Sequence, residues 1–454
     1  MQKQNLLKID KELIENLSDL IEAKDTHSIL TIFANLHPAD ISEIINHLDR
    51  EDAQYVFSIL NKDVAVEVIT ELDEDLREKI LEKIDADRIT RIVDELETDD
   101  ATDIINDLPE PLAEHVLENI DQEDSKDVKE LLKYPEDSAG GLMSSDFVYV
   151  YDDATIQIAI DEVRKHSDEF EQIYQIYVLD KEGKLIGFTS LKSLLTNSLE
   201  TKIVDVMDDE LIYVTPEKDQ EEVAEIMEKY DLVSLPVVDN KGKMLGRITI
   251  DDIVDVIQEE AEEDISKMAG LIDDEEYSHS TLTVSKIRLP WLLVSLVGEL
   301  VSAVVLSSFQ VSIEKVIVAS FFIPIIMAMG GSSGQQAAIV MVRNMSYNKL
   351  WLNDAAKKLF KEFRVAFVNG LASSIILLAM TYIFFNTQFY FSILLSITLL
   401  IIMINATMIG AIVPIVLNKI GVDPVVATGP FVSTMNDIVG LLIYFSILSL
   451  FYIK

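Results

Sequence analysis

Two carboxylates stand inside stretches of this chain that are otherwise apolar. Asp437 lies in "GPFVSTMNDIVGLLIYFSIL" (429–448), and Glu299 lies in the run 289–309. A carboxylate at the centre of a membrane span costs roughly 2.5–3.5 kcal/mol on insertion scales. Asp437 therefore needs a partner, a proton or a wet pathway, and its own run holds no Lys or Arg. An ion pathway is the favoured reading. Gly429, Ser433 and Asp437 recur at i, i+4, i+8, so a helix would carry them on one face. A second acidic signal lies upstream. Asp252, Asp255, Glu259 or Glu260, and Glu263 recur at three or four residues, Asp99 and Asp103 at four. Asp219, Glu221, Glu228 and Asp231 form a third group. Like charges on one helix face repel unless something neutralises them. Any one such cluster is ordinarily a solvated face. Several of them, in a chain with an acid at membrane depth, suit a hard divalent cation, and Mg²⁺ typically takes one or two carboxylates and keeps its waters.

Composition narrows the field. The 454 residues hold 37 Lys and Arg against 79 Asp and Glu, a formal charge of −42. Residues 1–285 carry 26 basic and 73 acidic groups; residues 286–454 carry 11 and 6. The acidic half would repel nucleic acid. There is no cysteine, hence no disulfide, thiolate zinc site or Cys nucleophile. No HExxH, EF-hand loop, P-loop or nucleophile–base pair is present, so an enzyme is not expected. The opening "MQKQNLLKIDKELIENL" lacks the apolar core of a cleavable signal.

Five apolar runs follow Ser285, at 289–309, 316–342, 364–386, 389–418 and 424–453, each able to supply the ~20 residues of a spanning helix. Lys286 and Arg288 precede the first. Arg343, Lys349, Lys357, Lys358, Lys361 and Arg364 flank the loop between the second and third. The opposite loops, at Glu314–Lys315 and Asn386, are nearly uncharged. The positive-inside rule puts the acidic half in the cytoplasm and Lys454 outside, with lipid around the spans. In the second run, "AMGGSSGQQAAIVMVRN" (328–344) interrupts the apolar character with small residues and two Gln. Gly330, Gly331 and Gly334 there serve either close helix packing or backbone exposed to a cavity. "INATMIGAIVP" (404–414) brings Asn405, Gly410 and Pro414 into the fourth.

Residues 1–133 read as an acidic all-α superhelical domain. "DISEIINHLD", "EDAQYVFSIL", "DVAVEVITELD" and their successors recur at about a dozen residues, each opening near an N-capping acid. Periodicity changes after that. "IYQIYVLDKEGKLIGFTSL" (173–191) and "LVSLPVVDNKGKMLGRITIDDI" (232–253) repeat one pattern of strand, turn, strand and helix, each after an amphipathic helix. The two units resemble a tandem CBS pair (134–257, α/β), a module that senses ligands, often adenosine nucleotides. The second copy carries that family's Gly-x-x-Thr-x-x-Asp pattern at Gly246, Thr249 and Asp252. The first has Gly187 and Thr189 but Lys192-Ser193 where ATP binders tend to have Arg-Asp. ATP thus stands as a candidate ligand with an incomplete signature.

The whole order resembles the MgtE family of magnesium channels: helical domain, CBS pair, connecting helix and linker (258–285), then five spans (286–454). Phrases carrying the likeness include "YPEDSAGGLMSSDFVYV" (134–150), "ITIDDIVDVIQEEAEEDI" (248–265), "GGSSGQQAAIVMVR" (330–343) and "GVDPVVATGPFVSTMNDIVGLLIYF" (421–445). The resemblance implies a homodimer in the plasma membrane with a pore on the two-fold axis, lined by the second and fifth spans near Gly334, Gly429 and Ser433. Asp437 would hold hydrated Mg²⁺, with its symmetry copy facing it. The connecting helix would be a plug. The family's regulatory acids map onto Asp99, Asp103, Asp219, Glu221, Asp231, Asp252, Asp255, Glu260 and Glu263. Cytoplasmic Mg²⁺ on them would close the pore to influx. One departure stands out: the family's Asn-x-Gly-Asn-Gln reads Ser332-Ser333-Gly334-Gln335-Gln336. Two other readings remain, a transporter of another divalent ion such as Mn²⁺ or Co²⁺, and a membrane-anchored CBS sensor.

Overall fold

The computed structural model describes residues 9, 11–167, 170, 172–271, 281–346, 352–385 and 387–452. Lys349, Asn386, Lys454 and the linker stretch 272–280 lie outside the described residues. The chain forms two compact units, Met1–Gln258 and Glu259–Lys454.

Among the described residues, ten short helices open the first unit: α1 (Lys11–Glu22), α2 (Thr26–Phe33), α3 (Pro38–Asn46), α4 (Arg50–Ile59), α5 (Lys62–Thr70), α6 (Glu74–Leu81), α7 (Ala86–Val93), α8 (Thr98–Asn106), α9 (Glu110–Asn119) and α10 (Gln122–Leu131). Side chains of Asp25, Asp85 and Asp121 accept backbone N–H bonds at the starts of α2, α7 and α10, as the recurring acid predicts, whereas His37 and Asn61 cap α3 and α5, and Asp49 and Asp73 make no side-chain capping bond at α4 and α6. Helices too short to be stable alone bury one apolar face each in a shared core that includes Ile44, Phe57, Val68, Leu81, Ile89, Ile104 and Val116. Ion pairs bridge successive turns of the stack: Arg50–Glu82, Lys62–Glu95 and Arg77–Asp107.

The two CBS copies follow. In the first, β1 (Tyr149–Tyr151) runs parallel to β2 (Gln175–Leu179), which pairs antiparallel with β3 (Leu185–Ser190); α11 (Ile156–Lys165) and α12 (Leu191–Thr196) complete it. In the second, β4 (Ser234–Val238) pairs antiparallel with β5 (Met244–Thr249), and Val214 bridges Val237 in parallel where β1 stands in the first copy. Helix α13 (Gln220–Tyr230) precedes β4, and α14 (Ile250–Ala269) leaves β5. The repeat extends to its turns. Asp180 Oδ1 accepts from the N–H groups of Glu182 and Lys184, and Asp239 Oδ1 accepts from those of Lys241 and Lys243. These bonds to the charged form hold both carboxyls below their ordinary pKa. Gly183 and Gly242 supply φ of 83° and 82° at the matching place, a conformation only glycine adopts cheaply.

The second unit begins within α14 at Glu259. Its long helices are α15 (Thr281–Ser308), α18 (Ile323–Ser346), α19 (Leu352–Phe384), α20 (Phe389–Lys419) and α21 (Pro430–Phe451), with the short α16 (Gln310–Lys315) and α17 (Ile317–Ser320) between α15 and α18. Among the described residues, five stretches are long and apolar enough to cross a membrane: Val284–Ser308, Ile317–Met345, Ala355–Phe384, Phe389–Lys419 and Phe431–Phe451. Two ends differ from expectation. The third helix starts about three turns before residue 364, because the basic stretch Lys357–Arg364 continues the helix beyond the apolar run. The fifth starts at Pro430 rather than 424, because Asp423 caps a 3-10 turn at Pro424–Thr428 and Pro430 takes the first helical position. The small-residue stretch of the second run is unbroken helix. Gly334 there serves packing: a Cβ on Gly410 of α20 would strike the Gly334 carbonyl of α18, so these two helices touch backbone to backbone, whereas a Cβ on Gly331 would meet nothing within 4 Å.

Candidate functional site

With α21 starting at Pro430, Asp437 sits seven residues in, about 10 Å along the axis. Parallel to α21 runs α15: Gly298 abuts Thr434, and beyond the end of α15 the Ser312 hydroxyl of α16 lies 3.1 Å from that of Ser449. This register brings Glu299 of α15 next to Asp437 of α21. The sequence shows both acids but not their meeting. Asp437 is half-buried, as is Ser433 one turn before it. Gly429 is buried and caps α21 with non-helical backbone (φ −84°, ψ −140°), so it stands at the helix mouth rather than on a shared helical face. Gly334 is buried against Asn436, the neighbour of Asp437. Ser333 meets Thr407 of α20 at 2.7 Å.

The end of α14 reaches this mouth. Lys267 pairs with Glu263 on its own helix and with Asp423, 3.3 Å away, in the turn before α21. A Cβ on Gly429 would lie 3.3 Å from the Met268 carbonyl. The carbonyl end of a helix, where the macrodipole is negative, therefore abuts the start of the fifth span. Asp264 is pushed up by burial and by the charge of Asp423. The Lys267 ammonium is raised because Glu263 and Asp423 outweigh its desolvation. Glu260 lies one turn upstream on the same helix, half-buried.

In the first unit, α8 carries Asp99 and Asp103 toward the start of α14, which carries Asp252. A cavity of about 80 Å³ is lined by Glu97, Asp99, Asp100, Asp251, Asp252 and Arg247, among others. Asp99 Oδ1 is buried without a hydrogen-bond partner. Burial, with the charges of Asp100, Asp252 and Glu97, raises the Asp99 carboxyl well above its ordinary value. Asp252 is raised to about 6, chiefly by burial, against bonds that its Oδ2 accepts from the Thr249 N–H (3.2 Å) and hydroxyl (2.7 Å). Asp103 keeps one edge in solvent yet lies in crowded surroundings. Desolvation raises it to about 7 despite Arg77, with Glu136, Asp107 and Asp252 adding to the rise. Asp255, one turn beyond Asp252, is raised by burial and by Asp251.

The other acids stand apart from this recess. Asp219 caps α13, its Oδ1 accepting from the Glu221 N–H at 2.9 Å, and both residues are exposed. Asp231 ends the same helix in the left-handed conformation, φ 53°. Among the described residues no three His, Asp or Glu side chains converge as a finished metal cage. The orphaned oxygen of Asp99 beside Asp252 suits a bridging divalent ion that keeps most of its waters.

Arg247 was not legible as a site residue. It lies on β5, 4% exposed, and donates to both Glu97 carboxylate oxygens (3.0 and 3.3 Å) and to the Gln172 carbonyl (2.5 Å). Beside it, Thr98 N–H donates to Asp146 and the Ser145 N–H to the Thr98 hydroxyl. These bonds tie the start of α8 to both CBS copies. A lone charged residue at a buried register of a strand was the available signal.

Spanning helices with acids at membrane depth, joined to a helical domain and a CBS pair, define a multi-pass membrane transporter with an intracellular N-terminal domain. Family comparison specifies it further. The model described as divalent cation transporter matches residues 323–447, the MgtE intracellular N domain matches 36–137, and the CBS domain matches 139–200 and 203–259. The magnesium transporter MgtE of Thermus thermophilus is 33% identical over 332 residues, 72% of this chain and 73% of that one. Its counterpart from Bacillus subtilis is 33% identical over 335 residues, 74% of each. A crystal structure of the cytosolic domain of the Mg²⁺ channel MgtE in complex with ATP superposes with a TM-score of 0.50 at 31% identity, over 54% of this chain and 99% of that one. The chain belongs to the MgtE family, a family of transporters rather than enzymes.

Proposed function

We propose that the protein conducts Mg²⁺ inward across the plasma membrane, with Asp437 as the ion-holding pore residue and its cytoplasmic acids as the sensor that closes the path. The observation that carries this reading is a carboxylate at membrane depth, Asp437, facing a second acid, Glu299, in a five-span unit. In a homodimer, two Asp437 carboxylates face one hydrated ion across the two-fold axis. Gly334, Gly429 and Ser433 line the approach. The C-terminal end of α21 lies on the outer side.

Gating follows from linkage. The acids of α8 and α14 carry raised carboxyl pKa values, chiefly from burial, with the charge of Asp252 adding to the rise at Asp99 and Asp103. Internal Mg²⁺ offsets the cost of ionising them in the compact arrangement only, so it favours that arrangement by its differential affinity. Asp255, Glu260 and Glu263 extend the sensor along α14, which acts as the plug at the mouth of α21. Asp219, Glu221 and Asp231 provide weaker, exposed sites. ATP binding at Gly246, Thr249 and Asp252 is consistent with the ATP-bound relative, and Asp252 would then serve both ligands. The divalent cation transporter family description keeps Mn²⁺ or Co²⁺ as the alternative cargo.

The test is ion flux into proteoliposomes of the full chain with internal Mg²⁺ varied. The expected result is Mg²⁺ entry that falls as internal Mg²⁺ rises and is abolished in Asp437→Ala. Undiminished flux in that variant refutes the pore assignment. Flux indifferent to internal Mg²⁺ refutes the gating mechanism, and preferential Mn²⁺ or Co²⁺ entry selects the alternative cargo.

A further inference from the structure

Among the described residues the membrane unit satisfies most of its buried polar side chains internally, with three exceptions. The hydroxyls of Thr381, Ser396, Thr398 and Thr407 donate to carbonyls of their own helices, and the Tyr444 hydroxyl donates to the Ala319 carbonyl at 2.7 Å. Asn436 is 4% exposed, and both its Nδ2 and its Oδ1 lack a partner. Ser302 and Ser374 each leave a single hydroxyl oxygen unpartnered. Asn436 leaves a donor and an acceptor. A group that desolvates without compensation destabilises the fold, and an apolar side chain of similar shape would remove that cost. Its retention calls for a use outside the described arrangement.

The position supplies one. Asn436 precedes Asp437 on α21, and its amide nitrogen rests against Gly334 of α18. A Cβ at Gly334 would overlap that amide, so only glycine leaves room for it. The amide is thus held in the seam between the two helices, one residue from the carboxylate.

We infer that Asn436 is a specificity-determining residue of the ion path, an amide that is sealed between α18 and α21 in the described arrangement and that hydrogen-bonds the water shell of a divalent cation at Asp437 when those helices part. The inference rests on the pore reading of Asp437. Mg²⁺ dehydrates reluctantly and presents its bound waters to the protein. Their O–H groups are donors that Oδ1 accepts, and Nδ2 can donate to the carboxylate or to a further water. A neutral amide adds hydrogen bonds without adding charge, so the ion binds well enough to enter and weakly enough to leave. The orphaned amide also penalises the sealed arrangement, and opening relieves it. An ion that sheds or rearranges its waters readily, such as Ca²⁺ with its flexible oxygen shell, gains less from a group placed to read intact waters.

The experiment uses the full chain in proteoliposomes, with Mg²⁺ and Ca²⁺ entry measured separately and thermal stability measured in detergent, for wild type, Asn436→Leu, Asn436→Ser and Asp437→Ala. The expected result is about a tenfold fall in Mg²⁺ entry in Asn436→Leu, the scale of one lost hydrogen bond near a charge. Its preference for Mg²⁺ over Ca²⁺ narrows and its melting temperature is equal or higher. Asn436→Ser, which keeps one polar group and cannot overpack Gly334, falls between. Should the leucine variant melt early, the serine variant decides. Wild-type Mg²⁺ rate and preference in Asn436→Ser and in any folded Asn436→Leu, with Asp437→Ala inactive, overturn the inference and make Asn436 a packing residue. Wild-type flux in Asp437→Ala overturns the pore reading and the inference together.

Discussion

Neutralising Asp252 should make the cytoplasmic unit more stable in the absence of Mg²⁺ and less responsive to Mg²⁺ when it is added. Asp252 is raised from 3.8 to about 6 in the folded unit, mainly by burial. Between those values the folded state binds more protons than the unfolded state, so stability falls as pH rises through the window and levels off above about 6. Two units correspond to about 3 kcal/mol, all of it present at neutral pH. Asp252→Asn removes that cost but weakens the bonds that Oδ2 accepts from Thr249, a loss of about 1 kcal/mol. The net gain is about 2 kcal/mol, or roughly 4–8 °C in melting temperature for a unit of this size. Below about pH 4 the gain disappears, because the wild-type carboxyl is then protonated. For wild type, Mg²⁺ at about a hundred times its dissociation constant adds about 2.7 kcal/mol; the variant should gain less than about 1 kcal/mol. The assay is pulse proteolysis of the full chain in detergent along a temperature series, following the fragment 1–258, with chelator or Mg²⁺, at low and neutral pH. Equal melting of variant and wild type in chelator at neutral pH, or equal stabilisation of both by Mg²⁺, refutes the reasoning.

Two further perturbations probe the scaffold. Arg247→Leu removes the buried ion pair to Glu97 and the bond to the Gln172 carbonyl and should cost about 3–5 kcal/mol, read as early proteolytic cleavage between α8 and the CBS copies; the double variant Arg247→Leu with Glu97→Gln should recover part of that loss. Gly410→Ala forces α20 from the Gly334 carbonyl and should destabilise the membrane unit by about 1–3 kcal/mol, read as a lowered melting temperature in detergent, whereas Gly331→Ala, where a Cβ meets nothing within 4 Å, should be silent.

The architecture was legible because each part of it repeats. Capping acids at intervals of a dozen residues mark the short helices, matched Asp turns mark the CBS copies, and long apolar runs mark the spans. Boundaries were less legible where polarity and helicity part company. Lys357–Arg364 is helical though basic, and Asp423–Thr428 is apolar enough to extend a run but is capped as a tight turn. The acids of the site were visible as residues, yet their pairing depended on register. Nothing local to Asp437 indicates that Glu299, more than a hundred residues earlier, lies opposite it. Asn436 was hidden by its neighbour, since a polar residue beside an intramembrane acid reads as part of one signal. Only burial and the missing hydrogen bonds separate it.

Under the proposed gating reading the acids assigned to regulation are not equivalent. An ion shifts a conformational balance only where its affinity differs between the two arrangements. Under the proposed reading Asp99, Asp103 and Asp252 meet that condition, because burial, with the charge of Asp252 adding to it at Asp99 and Asp103, raises their carboxyl pKa values, and a cation bound among them would offset that cost only while they stay together. Asp219 and Glu221 are exposed, and Asp219 already accepts a backbone N–H as a helix cap. A cation gains nearly the same there whether the acids of α8 and α14 are together or apart. Loss of gating should therefore be concentrated in variants of the α8–α14 recess. Lys267 meets the acids at the other end of α14 with a fixed charge, pairing with Glu263 and Asp423 at the mouth of the fifth span. That end of α14 is held by a lysine that needs no ion. On the proposed gating reading, the divalent-sensitive step is expected at the Asp252 end, where the compensating charge would have to come from solution.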